Sequence, residues 1–204
     1  MGKRKRTQGL GMLSIKELLR LKAEGLSGNK IAQSLNAARS TVQGYVKLAG
    51  CTWINNKHNL FITGPTGIGK SFLACALADR ACRLGLKPHY FKAAELITQL
   101  LITRADGSYP RLAQKMAKTH LLLIDEWLLD PLPQIHAREI LELLDDRFRK
   151  ASTIFISQLP VRDWHKNIGD PTLADAILDR VIHDAFRLDL SGESMRKLTT
   201  KIQS

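Results

Sequence analysis

Aromatic side chains, cysteines, long apolar runs and acidic residues are all scarce in this chain of 204 residues. Aromatics make up 6% while hydrophobic residues as a whole reach 44%, so the apolar content is mainly aliphatic and sufficient for a packed core. That excludes disorder as the dominant state. Three cysteines, Cys51, Cys75 and Cys82, are too few and too irregularly spaced for a disulfide framework or a zinc site. A reducing cytoplasm is the expected compartment. The longest uninterrupted aliphatic stretch, Leu121 to Ile124, is far short of a membrane span. The basic start Lys3 to Arg6 is not followed by a sufficient apolar segment for export, so a soluble chain with no membrane partner is expected.

The shortage of acidic residues is uneven. Against 31 Lys and Arg there are 19 Asp and Glu, a formal charge of +12. Residues 1–50 hold 10 basic and 2 acidic residues, a net +8, which leaves +4 for the remaining three quarters of the chain. A compact basic block on an otherwise ordinary domain is the electrostatic footprint of a polyanion binder.

That block has helical punctuation. Ser14-Ile15-Lys16-Glu17 reads as a capping box, with Ile15, Leu18 and Leu19 as an apolar face and Gly25 as a stop. A second helix is predicted from about Ser27, burying Ile31, Ala32 and Leu35 and ending at Asn36, a residue that tolerates the left-handed conformation. A third follows from about Arg39, with Val42, Tyr45 and Val46 inward. The segment Lys30 to Val42 resembles a helix-turn-helix of transposases and resolvases. Arg39, Ser40, Thr41, Gln43 and Lys47 are then candidates for contacts with double-stranded DNA. The basic arm Lys3 to Arg6 would add affinity with little specificity.

From Asn59 the character changes. Asn59 to Thr63 is a short buried-strand candidate that runs into Gly64-Pro65-Thr66-Gly67-Ile68-Gly69-Lys70-Ser71, which is GxxxxGK[ST]. A helix should follow, with Phe72, Leu73, Ala76, Leu77 and Ala81 as its apolar face. The glycines let backbone amides turn toward phosphate oxygens. Lys70 supplies a point charge to the β- and γ-phosphates of ATP, and Ser71 puts its hydroxyl on Mg²⁺.

The second acidic part of such a site is Leu121 to Glu126, an apolar strand ending in two carboxylates. Asp125 is the candidate metal residue and Glu126 the group that polarises the attacking water, which favours hydrolysis over simple binding. Thr153 to Ile156 reads as another buried strand, followed by the polar Ser157 and Gln158. Arg180 lies near the end of a predicted helix, Ala174 to Ile182, and Arg196 follows a last strand, Phe186 to Leu190. Residue pattern alone leaves both arginines as surface groups. Cys75 and Cys82 read as packing residues on the helix after the loop, Trp127 and Trp164 as core or interface residues, and Asp145-Asp146 as a solvated helix face.

Residues from about 50 to 197 resemble the IstB family, the ATPase helpers of insertion-sequence transposition, related to the DnaC and DnaA branch of the AAA+ proteins. The resemblance is carried by Leu60 to Ala78, Arg104 to Tyr109, Thr153 to Pro160, Ile168 to Arg180 and Gly192 to Lys197. It implies an AAA+ core in which a five-stranded parallel sheet flanked by helices sets the sensor strand between the strands of the P-loop and of Asp125. It also implies that Arg180 is an arginine finger acting on a neighbouring subunit, Arg196 a sensor arginine in its own subunit, and Ser157 or Gln158 the first sensor. Assembly as a homo-oligomer with ATP on DNA, and delivery of target DNA to a cognate transposase, are implied as well.

The expected organisation is therefore a small all-α module, residues 1–50, ahead of a P-loop ATPase core, residues 51–204. The module looks like the start of the partner transposase, which suggests a fusion across an internal deletion between the two genes of one element. Two other readings remain at this point: a DNA-binding regulator or inactive fusion remnant, and a DnaC-like helicase loader.

Overall fold

The computed structural model describes residues 17–192 except 19, 22, 23 and 38. Ser14 of the capping box, the arm Lys3 to Arg6 and Arg196 lie outside the described residues. Residues 17, 18, 20 and 21 are helical, and the Glu17 carboxylate accepts from Arg20 at 2.9 Å. Two helices follow, α1 (Gly28–Ser34) and α2 (Arg39–Ala49). The Ser27 hydroxyl caps α1 by accepting from the Lys30 amide, and Asn36 takes φ 47° in the turn between them. A short helix, α3 (Thr52–Asn55), leads into the sheet.

The rest alternates: β1 (Leu60–Thr63), α4 (Lys70–Arg83), β2 (Pro88–Lys92), α5 (Ala93–Ala105), α6 (Tyr109–Ala117), β3 (Leu121–Asp125), α7 (Gln134–Arg147), β4 (Ser152–Ser157), α8 (Pro171–Ile182) and β5 (Phe186–Asp189). All strand pairs are parallel, in the order β2-β3-β4-β1-β5, so β4 separates β1 from β3 as expected.

Strand alternation divides the core between the two faces of this sheet. Leu60 and Ile62, Leu121 and Leu123, and Ile154 and Ile156 belong to one buried cluster; the residues between them, Phe61, Leu122 and Phe155, belong to the other. On the first face α4 packs through Leu73, Ala74, Leu77 and Ala81, in one continuous cluster with Ile31, Val42, Leu48 and Trp53. The N-terminal helices thus share the core of the sheet instead of standing apart from it. On the second face α5, α7 and α8 bury Leu96, Leu100, Ile140, Leu143 and Ile177.

Several expectations are corrected here. Phe72 and Ala76 are exposed, because the inward side of α4 is the one that carries Lys70, Leu73, Ala74, Leu77 and Ala81. Cys75 and Cys82 are exposed as well, and only Cys51 is buried. Asp145 is not merely solvated: its carboxylate accepts from the Arg180 Nε at 2.6 Å. Trp127 and Trp164, in contrast, are core residues as expected, tilted edge to face around Phe61 and Phe155. The Trp164 indole donates to the Leu159 carbonyl at 3.0 Å, whereas the buried Trp127 Nε1 has no partner among the described residues.

Candidate nucleotide site

The phosphate loop is built by the abrupt change from strand to helix between Thr63 and Lys70. Gly64, Gly67 and Gly69 take φ of 141°, 79° and 96°, values that L side chains rarely adopt. A Cβ at Gly64 would sit 2.4 Å from the Leu190 carbonyl oxygen, so the chain passes β5 too closely for any side chain there. Helix α4 starts at Lys70 with no side-chain cap and no acidic residue in its first turn. Its first amides and its dipole are therefore left for an anion.

Lys70 is nearly buried, and its ammonium donates to the carbonyls of Gly64 at 2.7 Å and Pro65 at 2.9 Å. Burial pulls its pKa below the usual lysine range, while Asp125 works in the opposite direction. A hollow of about 330 Å³ is lined here by Thr66, Gly67, Gly69, Lys70 and Ser71 from the loop, and by Asp125, Glu126 and Gln158 from the neighbouring strand ends. The sequence motifs, far apart in the chain, meet at the C-terminal edge of the sheet.

Asp125 is buried at the end of β3. One of its oxygens accepts from the Glu126 amide at 2.8 Å and the other from the Tyr90 hydroxyl at 2.7 Å. Burial, and then that bond to a carboxylate, push the Tyr90 phenol well above its usual range. Glu126 turns the chain with φ 58°, and its carboxylate lies 3.2 Å from the Lys92 ammonium. Tyr90 and Lys92 belong to no motif. They are two apart on β2, whose parallel pairing sets Lys92 beside Asp125. Among the described residues no group of three or more His, Cys, Asp or Glu is placed to hold a metal ion. One carboxylate and the exposed Ser71 beside a phosphate loop suit Mg²⁺, which is held by one or two protein groups with phosphate oxygens and water.

The two sensor candidates part company. The Ser157 hydroxyl donates to the Trp127 carbonyl at 2.7 Å and accepts from the Leu159 amide, which turns it into the loop after β3 and away from the hollow. Gln158 instead accepts from the Thr66 hydroxyl at 2.6 Å and lines the hollow. Arg180 is not at this edge at all. Half-buried near the end of α8, it lines a different hollow with Asn59 and Thr153, at the edge where β1 and β4 begin, and is held by Asp145 and Asp179.

On α2, Val42, Tyr45 and Leu48 are buried while Arg39, Gln43 and Lys47 are exposed. Four-residue steps put those three on one side of the helix, whose range also includes positions 40 and 41. No helix among the described residues is long and apolar enough to cross a membrane.

Comparison with solved structures agrees with this architecture. The DnaC helicase loader superposes with a TM-score of 0.58 at 16% identity, covering 74% of this chain and 90% of that one. DnaA, in a structure bound to AMPPCP and single-stranded DNA, gives 0.57 at 17% identity, over 78% of this chain and 50% of that one. These are likenesses of fold alone. In sequence, an insertion sequence ATP-binding protein of Sinorhizobium fredii is 48% identical over 153 residues, 75% of this chain and 62% of the relative. The insertion sequence IS21 ATP-binding protein of Pseudomonas aeruginosa is 33% identical over 150 residues, 74% of this chain and 57% of the relative. This chain thus spans about three fifths of these relatives' lengths. The family model of the IstB-like ATP binding protein matches residues 27–204, taking in α1 and α2 as well as the sheet. With a phosphate loop, an acidic strand end and that match on one sheet, the chain belongs to the family of IstB-like ATP binding proteins.

Proposed function

We propose that the chain is a Mg²⁺-dependent ATPase that helps a transposase select its DNA target, binding duplex DNA and assembling as a homo-oligomer with ATP. The observation that carries this reading is the convergence of the uncapped α4 terminus, Lys70 and the Asp125–Glu126 pair around one hollow. In it Lys70 and the loop amides hold the phosphates, Ser71 and Asp125 hold Mg²⁺, Gln158 marks the γ-phosphate position and Glu126 takes the proton from the attacking water. The ion supplies charge neutralisation on the phosphates. Arg180, at the opposite edge, cannot reach its own loop and serves a neighbouring subunit, leaving Asp145 to do so; Arg196 completes the site in its own subunit. Purified protein should hydrolyse ATP with Mg²⁺, faster with duplex DNA, and Lys70→Ala should abolish turnover. Equal rates for parent and variant would sink the assignment.

Residues 1–50 are the DNA-reading part of this proposal, with the side of α2 that carries Arg39, Gln43 and Lys47 laid against the duplex. Replacing Lys47 by Ala should weaken binding to all sequences alike and flatten the slope of log affinity against log salt by about 1. Fluorescence anisotropy across a salt series measures this. A slope identical to the parent's would remove Lys47 from the phosphate contacts.

A further inference from the structure

Strand β2 lies at the edge of the sheet, with β3 as its one neighbour. Alternation turns Phe91 into the cluster on the α5 side and leaves Tyr90 and Lys92 on the other face. Tyr90 belongs to neither buried cluster and is 42% exposed, so the packing of its ring gives little reason for a tyrosine at this position. Its hydroxyl supplies one. It donates at 2.7 Å to an oxygen of Asp125, a residue only 6% exposed and 35 positions away in the chain.

The two oxygens of Asp125 are held from different places. The Glu126 amide, at 2.8 Å from one of them, moves with the same stretch of backbone, whereas the Tyr90 hydroxyl ties the other to a second strand. Each oxygen keeps one of its two lone pairs for water or a cation. Tyr90 is not among the residues that line the hollow, so it acts on a bound phosphate or ion through Asp125. The neighbouring carboxylate has a separate partner on β2: Glu126 faces Lys92 at 3.2 Å.

We propose that Tyr90 is a positioning residue for the metal: its hydroxyl fixes the Asp125 carboxylate in the orientation in which it holds Mg²⁺, and the affinity for the ion depends on that bond. The inference rests on the reading above in which Asp125 is the metal carboxylate. A hydroxyl bonded to an ionised carboxylate makes a short, charge-assisted hydrogen bond. Without it the carboxylate is free to turn about its side-chain bonds, and binding the ion must then also order it. Groups that orient a metal-binding carboxylate from behind are commonly worth about tenfold or more in metal affinity. Since Lys92 and not Tyr90 faces Glu126, removing the hydroxyl should raise the Mg²⁺ requirement and leave turnover at saturating Mg²⁺ unchanged.

The test uses the full chain saturated with a nonhydrolysable ATP analogue and titrated with Mn²⁺ in place of Mg²⁺, the free ion being read from its paramagnetic resonance signal. Tyr90→Phe should weaken Mn²⁺ about tenfold, while affinity for the analogue in metal-free buffer and the melting temperature stay at the parent's values. Asp125→Asn sets the scale: it should weaken Mn²⁺ at least as much, and adding Tyr90→Phe to it should cost nothing more. A tyrosine that only filled space would instead lower the melting temperature and the metal-free affinity, which overturns the proposal. Equal Mn²⁺ affinity in the parent and Tyr90→Phe, with Asp125→Asn weaker, also overturns it and leaves Asp125 as the metal carboxylate. Additive losses in the double variant overturn it too, since the hydroxyl would then act other than through Asp125. Asp125→Asn equal to the parent removes the metal reading of that residue, and this proposal with it. None of these outcomes needs turnover, so a chain that binds ATP without hydrolysing it gives the same answer.

Discussion

Glu126→Gln should lower ATP turnover by about a hundredfold to ten-thousandfold while nucleotide binding stays close to that of the parent. The glutamine keeps the size and the hydrogen-bonding reach of the side chain, but it cannot take a proton from water. The phosphate-binding groups, Lys70 and the loop amides, are untouched by the change, and the Asp125 carboxylate keeps its bonds to the residue 126 amide and to Tyr90. What is lost besides the base is the charge facing Lys92, an exposed pair at 3.2 Å and hence of little weight for stability. Single-turnover hydrolysis, measured beside the binding of a fluorescent ATP analogue, separates the two effects. Asp125→Asn should behave differently: nucleotide binding itself should become less responsive to Mg²⁺, because the metal carboxylate is gone. Turnover of Glu126→Gln within a few-fold of the parent would move the general-base role to another group.

The difference between those two carboxylates was legible in the sequence because they end an apolar strand, and the phosphate loop was legible because strand, glycines and helix are consecutive. Local order in the chain makes such features readable. The partners of the carboxylates were not legible. Tyr90 and Lys92 reach Asp125 and Glu126 only through the pairing of β2 with β3, a contact across more than thirty positions that no spacing rule encodes. The buried face of α4 differs from the expected one for a different reason. Leu73, Leu77 and Ala81 follow the helical period, but Phe72 and Ala76 form a second apolar pair four apart, and only the sheet beneath decides which stripe is covered. Ser157 and Gln158 were equivalent as adjacent polar residues after a strand. They separate because Ser157 is the last strand residue, paired with Thr63 and bonded to the Trp127 carbonyl, so that Gln158 is the one that emerges beside Thr66. The placing of β4 between β1 and β3 in a five-stranded parallel sheet came from the family resemblance, and the structure agrees with it.

Arg147 was invisible for the same reason as Tyr90, yet its removal should have the largest effect on stability. At the end of α7 it would read as one more basic residue on an amphipathic helix, but the residue is only 3% exposed. Its donors fan out to the Met116 carbonyl at 3.0 Å, the Thr119 carbonyl at 3.2 Å and the Ser152 carbonyl at 2.7 Å, with the Thr153 hydroxyl at 3.4 Å. One planar group thus ties the end of α6, the turn before β3 and the start of β4 together. No carboxylate accompanies it, and burial lowers its pKa to about 10, so it remains charged at neutral pH at some cost. Arg147→Ala takes these donors away from buried carbonyls, of which Met116 keeps only the Thr119 amide, and opens a cavity, a combination that should destabilise the chain by about 3–5 kcal/mol. In a chain of this length that corresponds to a fall in melting temperature of roughly 10 °C or more. Arg147→Lys keeps the charge but offers a compact ammonium where a flat fork is needed, so it should recover only part of the loss. Denaturant midpoints of the three proteins settle the order: parent highest, Lys between, Ala lowest. Because the start of β4 is anchored here, the loosened strand also carries Gln158 at its far end, and nucleotide affinity should fall with stability in the Ala variant. Midpoints within about 0.5 kcal/mol of one another would mean that water replaces the guanidinium, a substitution the buried carbonyls make available only if the wall of the Arg180 hollow opens.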